Sequence, residues 1–390
     1  MPERDPEILV FTVDAGGGHR AAARALVAAA EERKAPFRLR VENLQEILAP
    51  EDLVKRGTGL SLEAGYNLIL RRRWTVLLEP LLRLMHAAIQ LRRRSLVSAL
   101  RRHLEARPRP AAVLSVMPNF NGVIRDAVAG AHTGVPFSVL LTDFADFPPR
   151  FWIEPGIGRV IVGTERAAVQ AKLIGIPDER VARVSGMVLH PRFYQMGGKE
   201  AHERVRREMR IGDGFLVVLL FGGKGSPEME PLSARILEGS PAFRVIAICG
   251  DNRALHEKLA PLEARAGGRL HRVGFTDRVA DFMAAADLLV TKPGPGSLAE
   301  AFQEGVPVVV VRDRHTIPQE RFNTRFVEEH GLGVVVGRWT EIPAAVKALA
   351  DDPGRRERLR AAAKALPPNR AVYEVIEILA NEVGGTSRTE

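Results

Sequence analysis

Two stretches of this 390-residue chain set glycines beside groups that could do chemistry. In the first, "VDAGGGHRAAARAL" (13–26), an apolar run ends, Gly16, Gly17 and Gly18 make a turn, and an alanine-rich helix is predicted to start at His19. A strand, a Gly-rich turn and a helix N-terminus make an anion seat, because unpaired backbone N–H groups and the helix dipole point the same way. Gly16, Gly18 and Ala21 also satisfy the loose dinucleotide pattern G-x-G-x-x-G/A, and Glu42 ends the next apolar run, where a ribose would want an acid. A nicotinamide site is therefore one reading of this stretch. In the second, "TKPGPGSLAEAFQEGVPVVV" (291–310), a loop containing Gly294 and Gly296 follows a strand, Ser297 is expected to cap a helix, and Glu300 lies one turn in. Loop and helix N-terminus suit a diphosphate, and Glu300 could hold both hydroxyls of a ribose. Gln319, Glu320 and Asn323 then offer amides and a carboxylate to sugar hydroxyls. "FGGKGS" (221–226) adds Gly222 and Gly223 after another strand; it is not a Walker loop, and a plain βα turn is its alternative. Asp143 ends the run PFSVLLTD, at the strand end where open sheets bind ligands, and is either a base or orienting group or only a turn residue.

These residues need a scaffold, and composition bounds it. With 46% apolar and 26% charged residues the chain can bury large cores and is predicted to hold two domains. The lone Cys249, inside an apolar run, excludes a disulfide framework and makes a thiol-ligated metal site improbable, so a reducing cytosol is the default. No run approaches the roughly 18–20 apolar residues of a membrane span, and the N-terminus lacks a secretion pattern. A net charge of +9 and a pI near 10.1 favour an anionic partner, nucleic acid or an acidic membrane surface.

Apolar runs alternate with helical patterns along most of the chain. EILVFTV, FRLRVEN, AAVLSVM, PFSVLLTD and RVIVG lie in the first half; FLVVLLFGG, FRVIAICG, RLHRVGF, DLLVTKPG, VPVVVV and GVVVG lie in the second. Runs this apolar are strands of parallel sheets covered on both faces. The expected organisation is a first α/β domain over 1–190, a hinge at 191–199 around Pro191, Gly197 and Gly198, a second α/β domain over 200–368, and a last helix and tail over 369–390.

One region breaks the rhythm. Residues 61–107 read as helical, with Leu77, Leu81, Leu84, Met85, Ala88 and Ile89 at helical spacing, and 71–107 carry ten Arg against Glu79 and Glu105. These are either solvated faces of core helices or a membrane-surface element. In the second reading Trp74 and the leucines enter the interface while Arg71, Arg72, Arg73, Arg92, Arg93 and Arg94 meet anionic headgroups. Nucleic acid is disfavoured, since aromatic stacking platforms are missing.

Together, GGGHR, TKPGPGSLAEAF, the Q-E-x-x-N run and ICGDN resemble the monogalactosyldiacylglycerol synthase and processive diacylglycerol glucosyltransferase family, GT-B enzymes of the MurG superfamily. The resemblance spans nearly the whole chain. It implies an α/β GT-B fold, two Rossmann-like domains with parallel sheets facing a central cleft, the first carrying the acceptor and membrane functions and the second a UDP-sugar. By position it implies Glu300 as ribose ligand, Gln319 and Glu320 as sugar ligands, and Gly294 and Gly296 in the diphosphate loop. Phe275 would then lie near the uracil, with Gly250 of ICGDN in the donor region. Two stretches depart from the pattern: SVMP has Met117 where a histidine is usual, and LTDFADFPPRFW keeps Asp143 and Trp152 but has Asp146-Phe147-Pro148 in place of a His-containing stretch. Both shift the catalytic burden toward His19, whose imidazolium form the helix dipole disfavours, leaving a neutral base near pH 7; a solvent-facing capping histidine is the alternative.

The expected reaction is inverting transfer of galactose or glucose from a UDP-sugar to diacylglycerol at the cytoplasmic face of a membrane, by a peripheral protein without cofactor, essential metal or nucleic-acid partner. A MurG-like N-acetylglucosamine transfer to a lipid-linked precursor is the runner-up, although that family more usually reads GGTGGH and Q-Q. A nicotinamide oxidoreductase would leave the second half unexplained, and a non-catalytic binding module would rest on the basic segment alone.

Overall fold

The computed structural model describes residues 5–14, 17–51, 78–195 and 199–386. They divide into two units, the first drawn from the chain through Pro191, Ile317–Gln319 and Asn369 onward, the second from Arg192–Thr316 and Glu320–Pro368. Each unit holds a six-stranded sheet whose pairings are all parallel.

The first sheet has the order β2-β1-β3-β4-β5-β6. Its strands are β1 (Glu7–Thr12), β2 (Arg38–Asn43), β3 (Ala112–Ser115), β4 (Phe137–Leu140), β5 (Arg159–Val162) and β6 (Val181–Arg183). Central β3 and β4 are buried throughout, as strands covered on both faces must be, whereas edge strand β2 leaves Arg38 and Glu42 facing out or only half covered. β6 was not foreseen: Val-Ala-Arg is three residues long and ends exposed, so it gives no apolar run to read. The helices are α1 (Gly18–Glu32), α2 (Leu44–Leu48), α3 (Leu78–Leu91), α4 (Arg93–Glu105), α5 (Asn121–Ala131) and α6 (Glu165–Leu173). The core joins Leu9, Phe11, Val113 and Val139 of the sheet to Leu82 and Ile89 of α3 and Leu96, Leu100 and Leu104 of α4.

The second unit opens with α7 (Arg192–Gln195) and α8 (Lys199–Glu208). Its sheet has the order β12-β11-β10-β7-β8-β9, formed by β7 (Phe215–Leu220), β8 (Phe243–Ile248), β9 (Leu270–Val273), β10 (Leu288–Thr291), β11 (Val308–Val311) and β12 (Gly333–Val336). Between them run α9 (Met229–Gly239), α10 (Arg253–Arg265), α11 (Val279–Ala285), α12 (Pro295–Gln303) and α13 (Arg321–Glu329), followed by α14 (Ile342–Asp351) and α15 (Pro353–Ala365). Cys249 is buried in this core, where burial pushes its thiol up to about 11, so it packs as a small apolar group.

The last helix, α16 (Ala371–Thr386), returns to the first unit and packs on α1. Glu382 accepts hydrogen bonds from Ser138 of β4 at 2.7 Å and from Arg159 of β5 at 2.8 Å, and Glu374 accepts the Ser185 backbone N–H at 2.6 Å. Among the described residues no helix is long and apolar enough to cross a membrane.

Candidate active site

In the first unit the chemistry sits where β1 hands over to α1. Gly17 has φ 85°, a left-handed conformation that glycine adopts without penalty, and is the N-cap of α1; no side chain caps the helix. Gly18 and His19 form its first turn, with Gly18 exposed; Gly16 lies outside the described residues. The His19 ring is held from two sides: Nδ1 lies 2.9 Å from the Thr142 hydroxyl, and the ring stacks obliquely on Trp152 with centroids 5.4 Å apart. Burial lowers its pKa to about 4, against which a hydrogen bond to the Val116 backbone pulls weakly upward. Desolvation by its neighbours thus leaves the ring neutral near pH 7.

Asp143 follows Thr142 just beyond β4. Its Oδ2 accepts the Trp152 indole N–H at 2.8 Å, so one indole both contacts the histidine and holds the carboxylate. Thr142 and Trp152 were not assigned roles from sequence; adjacency to Asp143 was the only signal for Thr142.

In the second unit the glycine loops all lie at the carboxyl ends of parallel strands and so share one sheet edge, the usual ligand edge of such sheets. Gly222 and Gly223 follow β7, and Gly250 follows β8. Gly250 has φ 58°, and a Cβ there would collide with the Gly223 carbonyl, so these two turns require glycine to close on each other. Phe275, beyond β9, is 67% exposed, an apolar ring displayed to solvent. Gly294, after β10, is the N-cap of α12 without a side-chain cap, and Pro295 takes the first helical position. Ser297 is therefore not the cap predicted above; it lies in the first turn, because Pro295 has no N–H to satisfy and its fixed φ already starts the helix. The open N–H groups of α12, beside an exposed Gly296, keep the anion-seat geometry.

Glu300 projects from the second turn of α12. Burial pushes its carboxyl up to about 7, and no hydrogen-bond or ion-pair partner is found for it among the described residues. The loop below is held by Asn323, whose Nδ2 donates to the Pro293 carbonyl at 2.7 Å while its buried Oδ1 has no partner. Glu320, almost fully buried, forms an ion pair at 2.7 Å with Lys292, which no sequence motif singles out. The Lys292 side chain lies where Cβ atoms added to Gly222 or to Gly294 would each approach its Cε to 3.6 Å. An ammonium thus stands between two glycine turns. Its place directly after β10 was the available signal; its partner lies 28 residues away. Gln319 groups with the first unit and has a buried Oε1 without a partner.

The basic segment divides. Arg71, Arg72, Arg73 and Trp74 lie outside the described residues. Arg94 is exposed, but Arg93 is not available to a headgroup: it pairs with Asp126 at 2.7 Å and approaches Glu154 at 3.6 Å, because two carboxylates of the fold need a counter-charge. Arg92 is half-buried. On α3, Leu82, Met85 and Ile89 pack inward, while Leu81, Leu84 and Leu91, at helical spacing, are 38%, 66% and 89% exposed.

Residues 217–367 match the family described as the glycosyltransferase family 28 C-terminal domain. The second unit is a family 28 glycosyltransferase domain. The chain as a whole is homologous to glycolipid-forming glycosyltransferases. A probable monogalactosyldiacylglycerol synthase 3 of Oryza sativa subsp. japonica is 26% identical over 96% of this chain and 74% of its own length. Monogalactosyldiacylglycerol synthase 3 of Arabidopsis thaliana is 28% identical over 85% and 71%. The processive diacylglycerol beta-glucosyltransferase of Bacillus subtilis is 26% identical over 58% and 57%. Among solved structures, Anabaena HepE in complex with UDP and glucose aligns over 97% of this chain and 99% of its own with TM-score 0.55 at 15% identity. MurG of Acinetobacter baumannii aligns over 95% and 98% with TM-score 0.56 at 13% identity. These two structures show the GT-B fold; that the chain is a glycosyltransferase rests on the family match and the sequence relatives.

Proposed function

We propose that this glycosyltransferase moves a hexose from a UDP-sugar to the free hydroxyl of diacylglycerol. One observation carries the reading: homology to diacylglycerol galactosyltransferases extends across both units, so it includes the half that holds His19 as well as the family 28 domain. A MurG-like acceptor is supported by fold alone.

Each group has a task in this reaction. Thr142 fixes the rotation of the neutral His19 ring through Nδ1, leaving Nε2 to take the proton of the acceptor hydroxyl. The oxygen so freed forms a bond to the anomeric carbon as the bond from that carbon to the diphosphate oxygen breaks, and UDP departs with the electron pair; attack from the opposite face inverts the centre. Glu300 accepts from the ribose hydroxyls, and Phe275 offers its exposed ring to the uracil. The backbone N–H groups of α12 and the Lys292 ammonium meet the diphosphate charge without an essential metal. Gln319 and Glu320 meet the sugar hydroxyls. Leu81, Leu84 and Leu91 of α3, with the exposed Arg94 of α4, rest on the anionic membrane surface that supplies the lipid.

Incubating the protein with labelled UDP-glucose or UDP-galactose and diacylglycerol vesicles, with and without EDTA, tests this directly. Labelled glycolipid that forms from one donor and persists in chelator is the expected product. Transfer only to a lipid-linked peptidoglycan precursor, or turnover abolished by EDTA and restored by Mg²⁺, would overturn the corresponding part.

A further inference from the structure

The loop between β4 and β5 contains a carboxylate that the proposed mechanism does not use. Asp146 is fully buried. Its Oδ1 accepts the Trp152 backbone N–H at 2.7 Å and its Oδ2 the Arg150 N–H at 3.0 Å, and the N–H groups of Phe151 and Ile153 also favour its charge, yet burial outweighs these bonds and raises the carboxyl to about 6. The backbone of Asp146 is clamped reciprocally by Gln170 of α6, whose Oε1 accepts the Asp146 N–H and whose Nε2 donates to the Asp146 carbonyl, both at 2.9 Å. Trp152 is also held from behind: its carbonyl accepts from Asn121 Nδ2 at 2.8 Å, and two residues on Glu154 accepts the Gly122 N–H at 2.8 Å, seating the loop on the start of α5.

Burying a carboxylate is costly unless it is fully hydrogen-bonded, and a loop that only had to connect two strands has no need of one. Here the bonds converge on one residue. Trp152 is itself fully buried, and its indole carries the two contacts that reach the candidate chemistry: the N–H to Asp143 at 2.8 Å and the ring face against His19. Moving the backbone of residues 150–153 would release Asp143 and uncover the side of the half-buried His19 ring that Trp152 covers.

The geometry points to Asp146 as the positioning residue of the acceptor site: it touches no reacting atom, but its carboxylate sets the loop that places the Trp152 indole against His19 and Asp143. This rests on the reading of His19 as the base.

The test is Asp146→Asn, which keeps the shape but turns one of the two acceptor atoms into a donor facing backbone N–H groups. Its kcat for hexose transfer should fall roughly ten- to a hundred-fold, the cost of a small misplacement of reacting groups, while the Kd for UDP stays unchanged. The positional readout is ¹⁹F NMR of protein labelled with 5-fluorotryptophan, the Trp152 resonance being the one lost in Trp152→Phe. In the wild type this resonance should show two steps, one at about 6 from Asp146 itself and one at about 4 from His19. In Asp146→Asn the step at about 6 should vanish, the His19 step should rise from about 4 toward the ordinary 6.5, and the His19 step of the kcat profile at saturating donor should rise with it. Gln170→Ala, which loosens the clamp without disturbing the buried carboxylate, should shift both in the same direction by less, and decides the matter should Asp146→Asn not fold. A folded Asp146→Asn with the wild-type kcat and the His19 step still at about 4 overturns the proposal, as does an unchanged Gln170→Ala when Asp146→Asn is insoluble. If the wild type transfers no hexose, the enzymatic reading fails by itself, and the Trp152 resonance still reports whether Asp146 positions the ring.

Discussion

The neutral His19 makes its own prediction about acid. With a pKa lowered to about 4, the ring stays a competent base down to that value, so at saturating UDP-sugar the step in kcat that belongs to His19 should come at about pH 4 and not at the usual histidine value of 6.5. His19→Ala should lower turnover by roughly a hundred-fold or more while calorimetry finds the same affinity for UDP. Glu300 behaves in the opposite sense. Its carboxyl, raised to about 7, is protonated below neutrality and then offers the ribose a poorer acceptor, so UDP should bind more weakly at pH 6 than at pH 8. Glu300→Ala should remove both the pH dependence and two hydrogen bonds, raising the UDP Kd about ten-fold or more. Lys292 has a partner to exchange. Lys292→Met should weaken UDP binding markedly, whereas Glu320→Gln, which frees the ammonium, should leave UDP binding equal or tighter and reduce only transfer of the sugar. Equal UDP affinity in Lys292→Met and wild type would remove the lysine from the diphosphate site.

Among the elements, α3 carries the testable surface. Leu84 and Leu91 are largely exposed, so changing both to Gln should cost little stability, yet it should lower sedimentation with phosphatidylglycerol vesicles and raise the apparent KM for lipid without altering UDP affinity. Arg93 must be spared in such a test, since it pairs with Asp126 inside the fold. This division between Arg93 and Arg94 could not be read from the sequence, because which arginine of a run turns inward depends on carboxylates 33 and 61 residues away. The strands were legible for the converse reason: runs such as FLVVLL and VVVV declare burial on both faces by themselves. The glycine turns were legible as well, since they fall at strand ends. What stayed hidden were pairings across distance, Lys292 with Glu320 and His19 with Thr142, and the helix start at Pro295, where a serine two residues later imitated a cap.

For the whole molecule, the raised carboxyls set a trend in stability with pH. Glu300 and Glu304 both have folded pKa values of about 7 against 4.5 ordinarily, so the stability associated with their protonated forms is complete below about 4.5 and is lost as pH rises through 7. His19 acts oppositely, its contribution being present above 6.5 and lost as pH falls through about 4. Glu304, at the C-terminal end of α12 with a buried unpaired Oε1, is the cleaner probe. Glu304→Gln should raise Tm at pH 8 by about 2–4 °C for each kcal/mol gained and leave it unchanged at pH 4; equal effects at both values would assign the residue no such role. Chain order adds a consequence of another kind. α16 belongs to the first unit, yet every residue of the second unit precedes it, so a ribosome completes the second unit before it delivers the helix that covers α1 and pairs with Ser138 and Arg159. At about 5–20 residues per second that interval lasts roughly ten to forty seconds, during which the growing chain presents the bare side of α1 to whatever chaperone or membrane is near.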